Sequence, residues 1–495
     1  MNRRSIRHNQ LVTWKRAGLG ALLTFSVLGG CSSPASTNQP DGGATADLSS
    51  PAGDAGTDGT VKPILVPLSG TGHDRFYGVA YDSQGNLYAV GQITSSTDAN
   101  ADYATAVAKF TSAGILDPTF GSSGVYVRNV ASGTSGELFR GIVIQSTGKI
   151  VVSGSVEHTG ATDARDRDIA LLRLNPDGSK DSTFGTDGLV ILDLSTGVVN
   201  GTSFSADSVW GLERYADDRL VLSGGLVRSG GTDTDFALVR LTANGARDPS
   251  FGTNGVFSLD TQVSGASNNA SPRSLTILPG TDGIIGAGYQ PIPGADTAPV
   301  VYKVTDSGQL DTTFGTGGIF SQSVLAEQTE CYAVGIQPLA GQSGYRLVTT
   351  GYGRALSTET TDLVSLRLNS NGTLDTTYGT GGLVRIDIGG FGDNSRRLQI
   401  LPDRRVLLIG GGRLTAADVD GVAVMLTPDG QPDTSFGPKG WKSFNLGGPA
   451  DFLWSVALSP DRKTAALAGI KGVGTSPNPP TANDDAALLL LPLGQ

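Results

Sequence analysis

Leu116-Asp117-Pro118-Thr119-Phe120-Gly121 is the stretch on which the reading turns, because the same phrase returns at 180–185 (KDSTFG), 247–252 (RDPSFG), 310–315 (LDTTFG), 374–379 (LDTTYG) and 432–437 (PDTSFG). Its aromatic positions, Phe120, Phe184, Phe251, Phe314, Tyr378 and Phe436, step by 64, 67, 63, 64 and 58 residues. A chain of 495 residues would ordinarily divide into two or three domains, but a fixed period overrides that prior. Within one period the second repeat reads as four short aliphatic strands, Phe139 to Ile144 (A), Lys149 to Gly154 (B), Asp168 to Leu174 (C) and Gly188 to Leu192 (D). Turn clusters such as Ser146-Thr147-Gly148 and Asn175-Pro176-Asp177-Gly178 separate them, as antiparallel hairpins require. The 71 glycines fit many short strands and tight turns better than helices, whose interiors glycine weakens.

Periods above fifty residues with four strands each predict one propeller blade per repeat. Strand B ends on a glycine in every unit (Gly91, Gly154, Gly224, Gly288, Gly351, Gly410, Gly469), the residue needed where backbones approach closely. Counting A strands gives seven units. The seventh has A (Trp454 to Leu458), B (Thr464 to Gly469) and C (Ala486 to Leu491) but no D. Ile64-Leu65-Val66-Pro67-Leu68, which has no A, B or C strand ahead of it, supplies the missing strand if it pairs with 486–491. The fold class expected is all-β, a seven-bladed β-propeller of four-stranded antiparallel blades closed by that N-terminal strand, a device that leaves no bare sheet edge. The phrase and its spacing resemble the delta-60 repeat family of bacterial envelope proteins across nearly all of 61–495; that family implies no particular reaction.

The first thirty residues read as an export signal. Arg3, Arg4, Arg7, Lys15 and Arg16 precede a short apolar run, Ala17 to Val27, and Leu28-Gly29-Gly30-Cys31 resembles a bacterial lipobox. That resemblance implies cleavage before Cys31, lipidation of Cys31, and an outer-membrane lipoprotein facing the periplasm or the cell surface. Residues 31–60, rich in Ser, Thr, Pro, Gly, Asp and Ala, would form a flexible tether reaching on the order of 30 Å. The domain order is therefore 1–30 signal, 31–60 lipidated cysteine and tether, and 61–495 propeller. Loss of the signal shifts the net charge from −10 to −15, 31 basic against 46 acidic residues, and so acidic a surface repels nucleic acid. With Cys31 lipidated, Cys331 has no partner cysteine and reads as a small, partly buried hydrophobe.

A base stands eight residues before the motif aspartate in five repeats: Lys109 and Asp117, Arg173 and Asp181, Arg240 and Asp248, Lys303 and Asp311, Arg367 and Asp375. In the sixth, Met425 precedes Asp433. One active site repeated in every blade is improbable, so these predict structural ion pairs or turn caps, and the motif aromatics predict plugs between blades. The Asn175–Gly178 and Thr427–Gly430 turns lack the ligand series of a cation loop. No metal or other cofactor is called for. His73 and His158 read as solvated loop residues.

The start of strand A carries more information. Tyr77, Arg140, Trp210, Arg273, Tyr332, Arg396 and Trp454 fall in register, each followed by a small or polar residue (Gly78, Gly141, Gly211, Ser274, Ala333, Arg397, Ser455). Aromatic and arginine alternate around the predicted circle, on the face that carries the most variable loops, 92–101, 155–167 and 471–483. Such a rim suits stacking on sugar rings and gripping carboxylate or sulfate groups; it equally suits Arg-on-aromatic stacking that locks blade to blade. The functional expectation is a lipid-anchored binding or scaffold module for a polysaccharide or protein partner, without catalysis, since no HExxH, GxSxG, phosphate loop or zinc-type cysteine cluster is present. The alternatives are a metal-dependent lyase or lactonase-like propeller enzyme, which needs inward carboxylates or histidines, and an inert structural envelope protein.

Overall fold

The computed structural model describes residues 61–69, 72–94, 96, 102–131, 137–159, 166–195, 207–227, 233–261, 269–473 and 484–494. The export signal, Cys31 and the tether lie outside the described residues, as do parts of the three variable loops. The described residues form strands and turns, with no helix long and apolar enough to cross a membrane.

Five sheets hold four antiparallel strands each, and a further sheet holds eight. In the second repeat the strands run Leu138–Ile144, Ile150–Glu157, Arg167–Leu174 and Leu189–Leu192, within three residues of the expectation at every end. The larger sheet departs from separate blades: its two antiparallel halves are joined by one parallel pair, Thr297 with Gln328. The join arises because the A strand there, Gln328–Pro338, starts early enough to reach its neighbour's C strand. At the chain ends, Ile64–Val66 pairs antiparallel with Asp485–Pro492, Ile64 opposite Leu488 and Val66 opposite Ala486.

Packing between sheets explains the recurring phrase. Phe120 is fully buried among Val90 and Val107 of one sheet and Ile150, Val152 and Leu172 of the next. Phe184, Phe251, Phe314 and Tyr378 repeat the arrangement. At four interfaces the turn that follows the C strand docks on the glycine behind the aromatic of the preceding sheet: Gly121 donates its N–H to the Asp177 carbonyl at 2.8 Å, Gly252 to Ser307 at 2.9 Å, Gly315 to Asn371 at 2.7 Å and Gly379 to Asp429 at 2.9 Å. All five expected base–aspartate pairs form, from 2.6 Å for Arg173–Asp181 to 2.9 Å for Lys109–Asp117. The other carboxylate oxygen of each aspartate accepts the backbone N–H two residues on, so ion pair and turn cap coexist. Asp433 is not left bare by Met425, because Arg405, from the A-to-B turn, reaches it at 3.0 Å.

One boundary needs correction. Strand B does not end on its glycine: it runs on to Thr94, Glu157, Leu226, Ile292, Arg354, Thr415 and Lys471 in the successive units. The close approach is nonetheless present at each of the seven, where a Cβ would fall 1.7 to 2.6 Å from the carbonyl oxygen of the facing A strand.

Candidate functional site: a ring of bulged residues over a channel

Each of those glycines faces a β-bulge. Phe76 pairs with Gly91 and Gly78 with Val90, so Tyr77 is the extra residue on its strand. The same skip passes over Arg140, Trp210, Arg273, Tyr332, Arg396 and Trp454. A bulge kinks its strand and re-aims one side chain; here seven bulges re-aim the seven residues whose register the sequence had aligned.

The seven meet in a closed cycle of contacts. The Arg140 guanidinium lies over Tyr77 (5.4 Å) and Trp210 (3.8 Å), Arg273 over Trp210 (4.0 Å) and Tyr332 (5.0 Å), and Arg396 over Tyr332 (4.1 Å) and Trp454 (5.3 Å). Trp454 meets Tyr77 edge to face at 5.3 Å. These are cation–π geometries that bind neighbouring A strands together. The small residue after each bulge follows from crowding: a Cβ on Gly78 would stand 2.3 Å from the Arg140 carbonyl. Arg397 breaks that rule and spans the neck, donating to the Trp210 carbonyl at 3.1 Å and to the Tyr332 and Arg396 carbonyls at 3.3 and 3.2 Å.

Charge is left over at this neck. Among the described residues none of Arg140, Arg273, Arg396 and Arg397 forms a salt bridge, whereas Arg173, Arg240 and Arg367 each pair with a carboxylate. Buried Nε of Arg273, Nε of Arg396 and Nε1 of Trp454 find no hydrogen-bond acceptor, and unmet buried donors are costly. Burial brings Arg140 down to about 9, with Arg273, Arg397 and Arg396 repelling it further against a pull from Tyr77. Arg397 falls to about 10, by burial first and then by repulsion from Arg396 and Arg273. Although burial opposes it, Arg396 and Arg273 draw the Tyr332 phenol below the usual tyrosine range.

Beyond the ring, toward the A-to-B turns, opens a channel of about 470 Å³ walled by all seven A strands. Arg140, Trp210 and Arg397 lie at its floor and Arg462, in an A-to-B turn, contributes to its wall. Glu213 is the acid among its described lining residues. Its carboxyl is ringed by protein yet exposed to the channel; desolvation pushes it up to about 7, with Arg397 and Arg214 pulling it back. Sequence reading placed attention on the variable-loop face and missed this acid, which stands three residues after Trp210. His73 and His158 do not line the channel. His73 is buried, 3.7 Å from Asp484, and His158 bonds Asp168 at 2.9 Å. Cys331 is buried, its thiol pushed up to about 12 by desolvation. Among the described residues two carboxylate-containing groups are close enough for a cation, His158 with Asp168 and Asp193, and Asp362 with Asp387 and Asp393; internal bonds such as His158 to Asp168 and Arg385 to Asp362 already engage them.

A second recurring device holds the ring's approach loops. Three residues before the bulge, Asp74, Glu137, Asp207, Asp393 and Asp451 accept backbone N–H groups of the preceding loop, for example Asp393 from Ile388 at 2.8 Å and Asp74 from Ser69 at 2.9 Å. Thr329 does the same for Leu325. Burial raises Asp74 and Asp207 to about 6, Asp451 to about 7 and Asp393 to about 8. Acids with raised folded values contribute stability that is full below the ordinary carboxylate range and is lost as pH rises through 6 to 8. Asp117 and Asp311, held near 2 chiefly by Thr119 and Lys303 hydrogen bonds, work oppositely, losing their contribution as pH falls toward 2. The melting temperature is expected to peak at about pH 4–5 and to fall toward pH 8, with Asp393→Asn flattening the upper limb. A wild-type profile flat between pH 5 and 8 would refute this.

Comparison with known proteins agrees with this architecture: the chain is a β-propeller. The family model described as "Domain of unknown function (DUF5122) beta-propeller" matches residues 145–184 and 216–251. No curated protein matches the sequence. Among solved structures, an α-L-arabinofuranosidase from Fusarium graminearum aligns at 9% identity over 71% of this chain and 92% of its own, with a TM-score of 0.41. A glucose dehydrogenase aligns at 14% over 70% and 95%, TM-score 0.39. The β-propeller domain of the Trilobed protease from Pyrococcus furiosus aligns at 8% over 81% and 90%, TM-score 0.39. Likeness this distant carries no activity across. The expectation of a chain without catalysis is nonetheless corrected: structures named as enzymes stand among those it aligns with, and the lack of a linear motif says nothing of a site assembled from separate sheets.

Proposed function

We propose that the protein is an envelope propeller of seven delta-60-like blades, closed by the 64–66 strand and anchored through a lipid on Cys31, that binds an anionic polysaccharide at the ring of Tyr77, Arg140, Trp210, Arg273, Tyr332, Arg396 and Trp454. The observation that carries the reading is the set of four neck arginines without carboxylate partners, next to buried donors without acceptors, in a chain of net charge −10. Buried Arg75, Arg173, Arg240 and Arg367 each meet a carboxylate, so the neck's surplus favours a ligand bearing carboxylate or sulfate groups. An acidic protein segment is the second occupant the ring suits.

Trp210, sandwiched between Arg140 and Arg273, reports on the site. Full-length protein titrated with polygalacturonate, a sulfated polysaccharide and neutral dextran should show a saturable change in tryptophan emission for the two polyanions alone. The change should be absent in Trp210→Phe, and Arg273→Met should weaken binding about tenfold or more, the loss of one charge-assisted contact. Equal response to dextran, or none to any polymer from a folded protein, would overturn the reading and leave the ring as a lock between blades.

A further inference from the structure

The channel shares Arg140 with the ring and adds Arg397 and Glu213, which lie outside it. Its floor is cationic: Arg140 has no described hydrogen-bond acceptor or ion-pair partner, and Arg397 spends three of its five N–H donors on the Trp210, Tyr332 and Arg396 carbonyls, leaving two. Its wall carries one carboxylate, Glu213, which forms no described salt bridge and faces the cavity. Glu213 stands two residues along its strand from Gly211, the position equivalent to Arg397, which places it about 6–7 Å from the floor along the channel. Much of the wall near these charges is small or aliphatic, as at Gly78, Ala80, Gly141 and Val143.

Opposite charges held at a fixed separation in a cavity of about 470 Å³ select for a ligand with the complementary pair. A lone anion would leave Glu213 facing it, and a lone cation would meet the arginines. We infer that the channel is a binding site for short zwitterions, such as a dipeptide with free ends, whose carboxylate takes Arg140 and Arg397 and whose ammonium takes Glu213. The inference rests on the neck arginines being free for anions, as the ring reading holds. It adds a second site on the opposite side of the ring, reached from the A-to-B turns and not from the variable loops. Desolvation, which pushes the Glu213 carboxyl up against the pull of Arg397 and Arg214, is what an ammonium in direct contact would offset.

Glycylglycine and N-acetylglycylglycine separate the two charges, since acetylation removes the ammonium and keeps the carboxylate. Calorimetric titration of the full-length protein at neutral pH should find glycylglycine bound about tenfold more tightly, the worth of one charge-assisted hydrogen bond. Glu213→Gln, nearly isosteric, should bring glycylglycine down to the affinity of the acetylated peptide, while Glu213→Asp should keep a preference for the free amine. Equal affinities in the wild type, binding of neither peptide, or a preference that survives in Glu213→Gln would each overturn the inference. Polygalacturonate titrated alongside tells the two failures apart: if it still binds, the channel assignment alone is wrong; if it does not, the ring reading fails first.

Discussion

Gly224→Ala is expected to destabilise the protein by more than about 3 kcal/mol, the upper range for overpacking. Its Cβ would lie 1.8 Å from the Ser208 carbonyl oxygen and 3.3 Å from Val209 Cα, both backbone atoms that no rotamer change can move. To make room the A strand must leave its partner at the bulge, and Trp210, the bulged residue, then loses its place between Arg140 and Arg273. The neighbouring residue provides the control. A Cβ on Gly225 would meet the Ser208 hydroxyl at 3.2 Å and Pro272 Cγ at 3.5 Å, so Gly225→Ala should cost less than about 1 kcal/mol. Thermal melts followed by Trp210 emission measure both effects together. If Gly224→Ala melted like the wild type, the close approach across the bulge would be wrong.

Arg173→Met ranks beside it, at about 3–5 kcal/mol, the range for breaking a buried charged pair. Arg173 is 2% exposed. Its Nε donates to Asp181 at 2.6 Å, its Nη1 to the Ala243 carbonyl of the next sheet at 2.6 Å, and its Nη2 to Thr183 and to Asn244 at 3.2 Å. Its guanidinium also lies over the plug Phe184 at 4.6 Å. One side chain thus ties turn, plug and adjoining sheet, and its removal leaves buried Asp181 to Lys149, at 2.8 Å, and takes the Arg173 donor from Gln145 Oε1. Lys303, at the equivalent position, is 24% exposed and pairs with Asp311. Lys303→Met should therefore cost less than about 1 kcal/mol, as exposed pairs do. Urea unfolding of the two variants tests the contrast. Equal losses would mean that burial and the reach into the next sheet add nothing.

What the sequence made legible was whatever recurs with its neighbours in fixed register. The Asp-x-Thr-Phe-Gly phrase marked plug and turn because both lie in the C-to-D hairpin, whose length scarcely varies. The ring residues aligned because strands A and B are joined by short turns. The bulge itself was hidden: a glycine opposite an aromatic or arginine announces a close approach but not which strand gains the residue. That ambiguity also placed the end of strand B at the glycine, though pairing continues beyond it. The loop clasps Asp74, Glu137, Asp207, Asp393 and Asp451 were written three residues before each ring position. They went unread because Ala270 and Thr329 interrupt the series and the loops ahead of them differ in length. Glu213 had no signal at all, since it occurs once and a repeat-based reading discards what does not repeat.

Seven is an odd number, and a cycle of odd length cannot be coloured with two alternating colours. Around the ring, aromatic and cation alternate until Trp454 meets Tyr77, where two aromatics must touch. The mismatch falls where the last A strand, Phe452–Leu458, meets the first, His73–Tyr81, in the part of the molecule where Ile64–Val66 pairs with Asp485–Pro492. That defect removes the rotational degeneracy a repeated structure would otherwise have: on the proposed binding role, a ligand laid across the ring would find one corner unlike the rest, and with it a single orientation.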